Sequence, residues 1–212
     1  RVEDFFFAAT MLGRAFHSTG DEKYADLLAE YLRPVDSTLQ TNNLWWHCKA
    51  SPYFWARGNA FAALGFAEAL TYLPDNHVSR PKLLETHLRH LGGLAERQDA
   101  SGMWRQIIDM PSTFLEFSAT AMIGYSIARG LRKGWLGSEW RSVADKTWDG
   151  LSQRIGPSGE LEHVCVGTGP LATLDEYINR PYSDGLDDRG GAVALWFAVE
   201  MARLESETGG PE

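Results

Sequence analysis

The chain has little of what several protein classes require. Its two cysteines, Cys48 and Cys165, are too few for a disulfide framework and lack zinc-finger spacing. It has no long basic run and carries a net charge of -8, which disfavours nucleic acid as a partner. No apolar run approaches the ~20 residues that span a bilayer. Few segments alternate polar and apolar residues with period two, so strands are expected to be scarce.

Apolar residues recur instead with the period of a helix. We predict an all-α protein in which Asp21 caps the second helix and residues 209–212 form a frayed tail. We expect the helical histidines outside the loops to be solvated. The predicted helices cover residues 3–17, 21–32, 57–73, 81–98, 114–132, 138–154 and 190–205, with loops over 36–56, 99–113 and 156–189.

Three of the loops repeat one pattern. They read NNLWWH (42–47), SGMWRQ (101–106) and SGELEH (158–163), and their turn residues are Asn43, Gly102 and Gly159. Those turn residues are 59 and 57 positions apart, and two helices lie in each interval. Helix hairpins that repeat at such an interval stack side by side. Each loop places a polar side chain four positions after its turn residue, namely His47, Gln106 and His163.

If one helix of each pair is always the inner one, the hairpins curve into a toroid. The inner helices then start at the same end, near Glu3, Arg57, Glu116 and Gly191, and their starts and the repeat loops, with Arg189, line one funnel. A closed ring of six hairpins needs about 350 residues at this interval. We therefore expect residues 1–212 to form a single, partial (α/α)6 toroid domain. It is either a fragment or an open arc whose apolar edge a partner covers, for example in a homo-oligomer.

The stretch LWWHCKASPYFWARGNAF (44–61) is the densest in chemistry. It holds aromatic residues, including Trp46 and Trp55, together with His47 and Arg57. Indole faces stack on sugar C–H groups, and a guanidinium grips a carboxylate with two parallel hydrogen bonds. These residue types are suited to a sugar that carries an acid. The alternative is a core loop around a structural histidine.

Several motifs resemble one known family. They are EDFFFA, TGDEKYAD, WARGNAF, SGMWRQIID, FLEFSATAM and VCVGTG followed by RP. Together they make the chain similar to the unsaturated rhamnogalacturonyl hydrolases and unsaturated glucuronyl hydrolases, glycoside hydrolase families 105 and 88. The resemblance extends over nearly the whole chain. It implies an (α/α)6 barrel, in agreement with the repeat.

The resemblance also implies a reaction. Members of these families act on oligosaccharides that carry a 4,5-unsaturated uronic acid at the non-reducing end, as polysaccharide lyases leave them. The enzyme protonates C4 and adds water at C5, and the resulting hemiketal opens and releases the neighbouring sugar. One carboxyl group acts as acid and then as base. No metal or other cofactor is needed, nucleic acid and membrane are not partners, and a cytoplasmic location is favoured.

Site residues follow from the resemblance position by position. Glu3 stands where the family has its catalytic aspartate, with Asp4 as the neighbouring candidate. Substrate contacts are expected from His47, Trp55, Arg57, Asn59 and Phe61, and also from Trp46. The repeat adds Gln106, Glu116 and His163, although Glu116 is also explained as a helix cap.

Two other functions remain open from the sequence. An ordinary retaining or inverting glycosidase, or an epimerase, on the same toroid needs two carboxyl groups at one sugar. Glu3 or Asp4 with Glu116 is the pair that the sequence offers. A non-catalytic carbohydrate-binding member of the family is the other alternative, because a glutamate replaces the catalytic aspartate.

Overall fold

Helices dominate the computed structural model of the chain, which describes residues 1–208. The predicted tail, residues 209–212, lies outside the described residues. The helices are α1 (Glu3–Thr19), α2 (Lys23–Leu32), α3 (Ala56–Tyr72), α4 (Arg80–Ala95), α5 (Phe117–Arg132), α6 (Arg141–Ser152), α7 (Leu174–Ile178) and α8 (Asp188–Thr208). The short strands are β1 (Trp104–Arg105), β2 (Leu115–Glu116), β3 (Leu161–Cys165) and β4 (Tyr182–Gly185), and 3-10 helices cover Arg33–Thr38 and Ser138–Trp140.

The long helices form three hairpins and one further inner helix. Helices α1, α3, α5 and α8 pack side by side in that order, and α2, α4 and α6 pack on α1, α3 and α5 respectively. Because α3 and α5 have neighbours on both sides, they bury nearly every residue. Helices α1 and α8 end the row and leave apolar side chains exposed, among them Phe7, Met11, Leu195 and Val199. The predicted arc of alternating inner and outer helices is therefore present.

Helix α3 packs closely on α1 because its sequence is rich in alanine and glycine. A Cβ atom at Gly65 would lie 2.6 Å from the carbonyl carbon of Phe5. A methyl group does not fit at that distance, so glycine is required where the two helices cross. This close approach fixes the start of α1 against the middle of α3.

The three repeat loops share one backbone turn. In each loop, one residue forms two backbone hydrogen bonds and is called here the first residue of the turn. Its N–H donates to the carbonyl of the residue four positions later, and its carbonyl accepts the N–H of the residue three positions later. The first residues are Gln40, Asp99 and Gly156, and the N···O distances are between 2.7 and 3.0 Å. The fourth residues, Asn43, Gly102 and Gly159, have φ angles of 60°, 88° and 90°. Glycine adopts this left-handed conformation freely and asparagine does so more readily than most residues, so the repeat is confirmed in the backbone.

The predicted long loop over residues 156–189 is wrong in part. Strand β3 pairs with β4 in an antiparallel ribbon, and the short helix α7 lies between them. Thr173 caps α7 in a reciprocal capping box with Glu176. These pairings join residues about twenty positions apart, and helical periodicity does not reveal them. The predicted cap Asp21 lies two residues before α2, where its side chain accepts the N–H of Lys23.

Two histidines of α4 are buried, contrary to expectation. His87 stacks nearly parallel on Phe66 of α3 with 6.0 Å between ring centroids, and in the part of the chain that the structure describes neither of its ring nitrogens has a hydrogen-bond partner. His90 lies against the ring of Trp45 at 4.5 Å. They share one helix face with Leu83, Leu91 and Leu94, so helical spacing turns them towards α3. Burial lowers the pKa of His87 to about 3, and burial followed by the charge of His87 lowers the pKa of His90 well below its usual value.

We predict that His87→Leu makes the protein less sensitive to acid. In the unfolded chain His87 takes up a proton below pH 6.5, but the folded protein does not protonate it until about pH 3. The unfolded state therefore binds more protons in this window, so stability falls as the pH falls through it. At pH 5 this histidine costs the folded state about 2 kcal/mol. Urea unfolding of His87→Leu should lose that much less free energy between pH 7 and pH 5 than the wild type does.

The exposed His17 supplies the control for this experiment. His17→Gln should keep the pH dependence of the wild type. An unchanged pH dependence in His87→Leu would show that His87 is solvated or protonated in the folded protein.

Candidate active site

The starts of the inner helices enclose a cavity at one end of the arc. Its volume is about 330 Å³. Helix α1, the junction into α3, helices α5 and α8 and the segment after β3 all contribute to its wall. The lining residues are Arg1, Glu3, Phe7, Trp55, Arg57, Phe61, Met122, Thr168 and Arg189. The cavity thus combines one carboxylate, several guanidinium groups and aromatic rings.

Glu3 and His47 form a buried pair at the base of the cavity. His47 Nε2 lies 3.0 Å from Glu3 Oε1, and both residues are almost entirely buried. The other imidazole nitrogen, Nδ1, forms a short hydrogen bond with the hydroxyl of Tyr177. Glu3 Oε2 is buried and has no hydrogen-bond partner among the described residues. One oxygen of Glu3 is therefore fixed by protein, and the other is not.

The pKa of Glu3 is lowered from its usual value of 4.5. Burial alone would raise it, but the hydrogen bond from His47, the backbone at the start of α1 and the positive charge of Arg1 lower it. Glu3 is therefore ionised at neutral pH in the empty cavity. Because Oε1 is an ionised acceptor, the His47 Nε2 that faces it carries a proton.

Aromatic rings form part of the cavity wall. The indole of Trp55 packs against the His47 ring with 4.6 Å between ring centroids. Phe61 lies one turn further along α3 and contacts Phe6 and Phe7 of α1. Flat apolar faces beside charged groups suit a sugar ring, which has both C–H faces and polar edges.

Arg57 lines the cavity, but protein groups hold most of its guanidinium. Its Nε donates to Ser118 Oγ at 2.7 Å, and its Nη2 donates to Glu116 Oε1 at 3.4 Å and, in a short contact, to the carbonyl of Cys165. Its Nη1 makes a single weak contact of 3.5 Å, to the carbonyl of Val166. Arg57 is thus a buried cation at the back of the cavity with little freedom to grip a ligand in a fork.

Glu116 has its oxygens occupied as well. It is the N-cap of α5, where its side chain accepts the N–H groups of Ser118 and Ala119. It also accepts the N–H of Cys165 at 2.9 Å. The capping explanation considered for Glu116 is the one that the geometry supports, and its side chain does not line the cavity.

Arg189 is the more available cation. It lies at the start of α8 on the cavity rim, and half of its side chain is exposed. Asp187 holds it through Nη2 at 2.7 Å and Nε at 3.4 Å, which leaves Nη1 without an acceptor within residues 1–208. Burial would raise the pKa of Asp187, but hydrogen bonds, including those from Arg189, bring it down to about 2, so the pair stays charged. Arg189 is therefore oriented by protein and still has a nitrogen for a ligand.

Asn59 and Gln106 lie behind the cavity rather than in it. Asn59 accepts the N–H of Trp45 and donates to the carbonyls of Trp45 and Trp55, at 2.9 to 3.1 Å. It therefore clamps the loop of residues 42–47, called here the histidine loop, onto α3. Gln106 donates to the backbone carbonyl of Tyr177 at 2.9 Å. Both side chains are fully buried, and neither lines the cavity.

Three other predicted site residues point elsewhere. Asp4 pairs with the amino group of Arg1 at 3.3 Å and does not line the cavity. Trp46 is partly exposed and lines a separate hollow of about 450 Å³ on the other side of the histidine loop. His163 packs against Tyr182 with 4.2 Å between ring centroids, because the ribbon of β3 and β4 turns it away.

Tyr177 belongs to the site, although no sequence signal indicated it. It lies on α7, is fully buried and reaches His47 over 130 positions of sequence. A single tyrosine in a stretch without periodicity carries no mark of such a contact.

The described residues offer no evident metal centre. Within residues 1–208, no group of three or more His, Cys, Asp or Glu side chains is arranged to hold a metal ion. Cys48 and Cys165 are free thiols. The cavity itself brings a carboxylate, Glu3, beside the guanidinium groups of Arg57 and Arg189.

The chain is similar to known proteins over most of its length. Residues 2–205 match the family described as Glycosyl Hydrolase Family 88. The chain is 28% identical over 193 residues to the unsaturated rhamnogalacturonyl hydrolase YesR of Bacillus subtilis (strain 168), and the match covers 91% of this chain and 52% of that protein. The chain thus spans about half the length of this curated relative.

Solved structures give the same fold. A possible member of the GH105 family from Salmonella enterica serovar Paratyphi A superimposes with a TM-score of 0.83 at 28% identity, covering 94% of this chain and 55% of that one. A family 105 glycoside hydrolase of C. acetobutylicum gives a TM-score of 0.86 at 22% identity, covering 95% and 64%. The predicted (α/α)6 toroid class is confirmed.

We predict that Asn59→Ala lowers the stability of the fold rather than only the affinity for a ligand. The substitution leaves the buried N–H and carbonyl of Trp45 without partners. The free energy of unfolding should fall by roughly 2–4 kcal/mol, measured by urea denaturation. Asn179→Ala, which removes an exposed amide bonded to the Asp175 carbonyl, is the control and should change it by less than about 0.5 kcal/mol. An Asn59→Ala protein as stable as the control would refute the clamp.

Proposed function

Because the chain belongs to glycosyl hydrolase family 88, we propose that it removes a 4,5-unsaturated uronic acid from the non-reducing end of lyase-generated oligosaccharides. The observation that carries the proposal is the free oxygen of Glu3, which is buried in a cavity with arginine and tryptophan beside it. The name of the Bacillus subtilis relative supports a galacturonyl substrate from rhamnogalacturonan.

The substrate fits the groups in the cavity. An unsaturated uronate has a flattened ring, a carboxylate on C5 and an enol ether between C4 and C5. Trp55 and Phe61 offer faces for the ring. Arg189 offers its unoccupied Nη1 to the carboxylate, and Arg57 adds positive charge from behind the cavity.

Glu3 is the proposed acid and base. The carboxyl proton is transferred to C4, the C4–C5 double bond becomes a single bond, and positive charge develops at C5 and the ring oxygen. Water then adds at C5 and returns a proton to Glu3. The product is a hemiketal, which opens to a keto acid and releases the neighbouring sugar, so atoms and charge balance.

An acid must be protonated before it can act, and the pKa of Glu3 is low in the empty cavity. Substrate binding changes this environment in two ways. The uronate brings a second negative charge close to Glu3, and its ring displaces water from the cavity. Both effects favour the neutral carboxyl group, so the substrate itself raises the pKa of the group that protonates it.

An ordinary two-carboxylate glycosidase is less well supported by these residues. Glu3 is the one carboxylate among the described residues that line the cavity, and Glu116 is occupied as the cap of α5. We further propose that residues 1–212 belong to one toroid domain. The exposed apolar side chains of α1 and α8 support cover by further helices, whether of the same protein or of a second copy.

We predict that Glu3→Gln abolishes the reaction. The amide keeps the shape of the side chain and removes the transferable proton, so kcat/KM should fall on the order of 10²–10⁴-fold. The measurement follows the loss of ultraviolet absorbance of the conjugated double bond, on unsaturated galacturonyl and glucuronyl disaccharides.

Asp4→Asn is the matched control, because Asp4 lies next to Glu3 in sequence and outside the cavity. It should keep most of the activity. If Asp4→Asn is inactive and Glu3→Gln is active, Asp4 is the acid and α1 starts differently. Binding of the disaccharides by a wild type that does not consume them would establish the non-catalytic alternative, and cleavage of saturated glycosides alone would establish the ordinary glycosidase.

We predict that Arg189→Ala weakens substrate binding through the uronate carboxylate. Loss of a hydrogen bond between charged groups costs on the order of 1.5–3 kcal/mol, which is roughly 10- to 150-fold in affinity. Affinity is measured by calorimetry with the Glu3→Gln protein, which does not consume the substrate.

A methyl ester of the uronate completes this experiment as a double-mutant cycle. The ester should bind the protein with Arg189 as weakly as the acid binds the Arg189→Ala protein, and Arg189→Ala should have little further effect on the ester. If the Arg189 effect is equal for acid and ester, Arg189 does not contact the carboxylate. Arg57→Ala is not a suitable substitute for this experiment. It is expected to lower the free energy of unfolding, since it leaves the buried Glu116 without its cation.

A further inference from the structure

Tyr177 is the buried residue that completes the hydrogen-bonded chain behind Glu3. We propose that Tyr177 is a positioning residue, which fixes the tautomer of His47 so that His47 Nε2–H holds one oxygen of Glu3 and leaves the other free. This inference rests on the proposed function for its catalytic consequence. The tautomer that it assigns rests on geometry alone.

The proton positions follow from the partners of each atom. The hydroxyl of Tyr177 accepts the N–H of Leu171 at 3.3 Å and lies in short contact with His47 Nδ1. A hydroxyl that already accepts one hydrogen bond has its own proton to give, and Nδ1 is the buried acceptor in front of it. Neutral imidazole has a single N–H, which must then be on Nε2, facing Glu3 Oε1.

The phenol is held in its protonated form. Burial, the largest effect, raises the pKa of Tyr177, and the negative charge of Glu3 also raises it. A protonated phenol keeps its hydrogen available to Nδ1. The protonated phenol is therefore consistent with a hydrogen bond from Tyr177 to His47 Nδ1 and a second one from His47 Nε2 to Glu3.

The tyrosine itself is held at both ends. Its backbone carbonyl accepts the Gln106 side chain at 2.9 Å. Its ring packs on Tyr53 with 5.3 Å between ring centroids, and Ser51 ties the neighbouring Leu171 carbonyl at 2.7 Å. The capping box of α7 fixes the helix on which it lies. His47 and Gln106 occupy equivalent places in two repeat loops, so two repeats converge on one residue.

Without the hydroxyl, Glu3 alone would favour this tautomer of His47, and nothing would satisfy Nδ1. Nδ1 would be a buried acceptor with no donor, and moving the proton to Nδ1 would turn the Nε2 lone pair towards the carboxylate of Glu3. Glu3 would then lose the donor that fixes Oε1. The effect on the reaction should be on kcat, because Tyr177 does not line the cavity and makes no contact with a ligand there.

The test compares Tyr177→Phe with Tyr53→Phe. Tyr53 belongs to the same aromatic cluster, and its hydroxyl donates to the Ala172 carbonyl rather than to His47. The readout is the nitrogen-15 spectrum of the imidazole side chains at neutral pH, with the His47 signals assigned by their absence in His47→Gln. Wild type and Tyr53→Phe should show His47 protonated on Nε2 and bare on Nδ1. Tyr177→Phe should show protonation on Nδ1 or a mixture of tautomers.

The kinetic arm uses the unsaturated disaccharide. Tyr177→Phe should lower kcat roughly tenfold, the effect of one buried hydrogen bond, with KM little changed, and Tyr53→Phe should alter neither. If the wild type consumes no substrate, the proposed function fails while the spectrum still decides the tautomer.

Three results would overturn the proposal. The first is a wild-type His47 protonated on Nδ1 or on both nitrogens, which needs no variant and stands even if Tyr177→Phe does not fold. The second is an unchanged tautomer in Tyr177→Phe. The third is a changed tautomer with kcat unaffected in an active enzyme.

Discussion

One buried carboxylate, Glu116, joins three parts of the chain behind the cavity. Its carboxylate accepts hydrogen bonds from the backbone N–H groups of Ser118 and Ala119 at the start of α5 and of Cys165 in β3. It also accepts a hydrogen bond from the guanidinium Nη2 of Arg57 in α3. A buried charge is costly unless it is paired and hydrogen-bonded. Removal of any one partner would therefore leave the buried carboxylate of Glu116 incompletely compensated. The three elements therefore stay together at this end, and the cavity has a fixed back wall.

The polar residues at this end of the arc fall into two groups. In the first group protein partners use most of the polar atoms, and in the second group one polar atom has no partner in the described part of the chain. Asn59 and Gln106 use their amide N–H groups on backbone carbonyls, and Arg57 uses most of its guanidinium on protein. Glu3 and Arg189 are each held by one protein partner, and each retains one side-chain atom without a partner among the described residues. The fold thus keeps rigid the groups that shape the cavity, and it leaves these two atoms unoccupied in residues that line the cavity.

The turn pattern was readable from sequence because it depends on local conformation: a left-handed residue must stand at a fixed place, and Asn43, Gly102 and Gly159 do. The inner and outer helices followed from it. The direction of the polar side chain after each turn was not readable, since it depends on what packs there. His47 meets α1, whereas His163 is in a strand that pairs with β4. The contact of Tyr177 with His47 arises in a non-periodic stretch, and no local signal encodes it.

The glutamate at the start of α1 has a physical consequence for the site. The family resemblance assigns this position to an aspartate, whose side chain is shorter by one carbon–carbon bond, about 1.5 Å. In this chain the longer side chain brings Oε1 to 3.0 Å from His47, while Oε2 is buried without a partner among the described residues. From the same backbone an aspartate would end short of that imidazole, unless α1 moved closer to the histidine loop. The crossing at Gly65 resists such a movement, because the backbone of α1 already lies against α3 there. The extra methylene and the fixed helix crossing are therefore compatible with each other, and together they set where the free carboxyl oxygen lies.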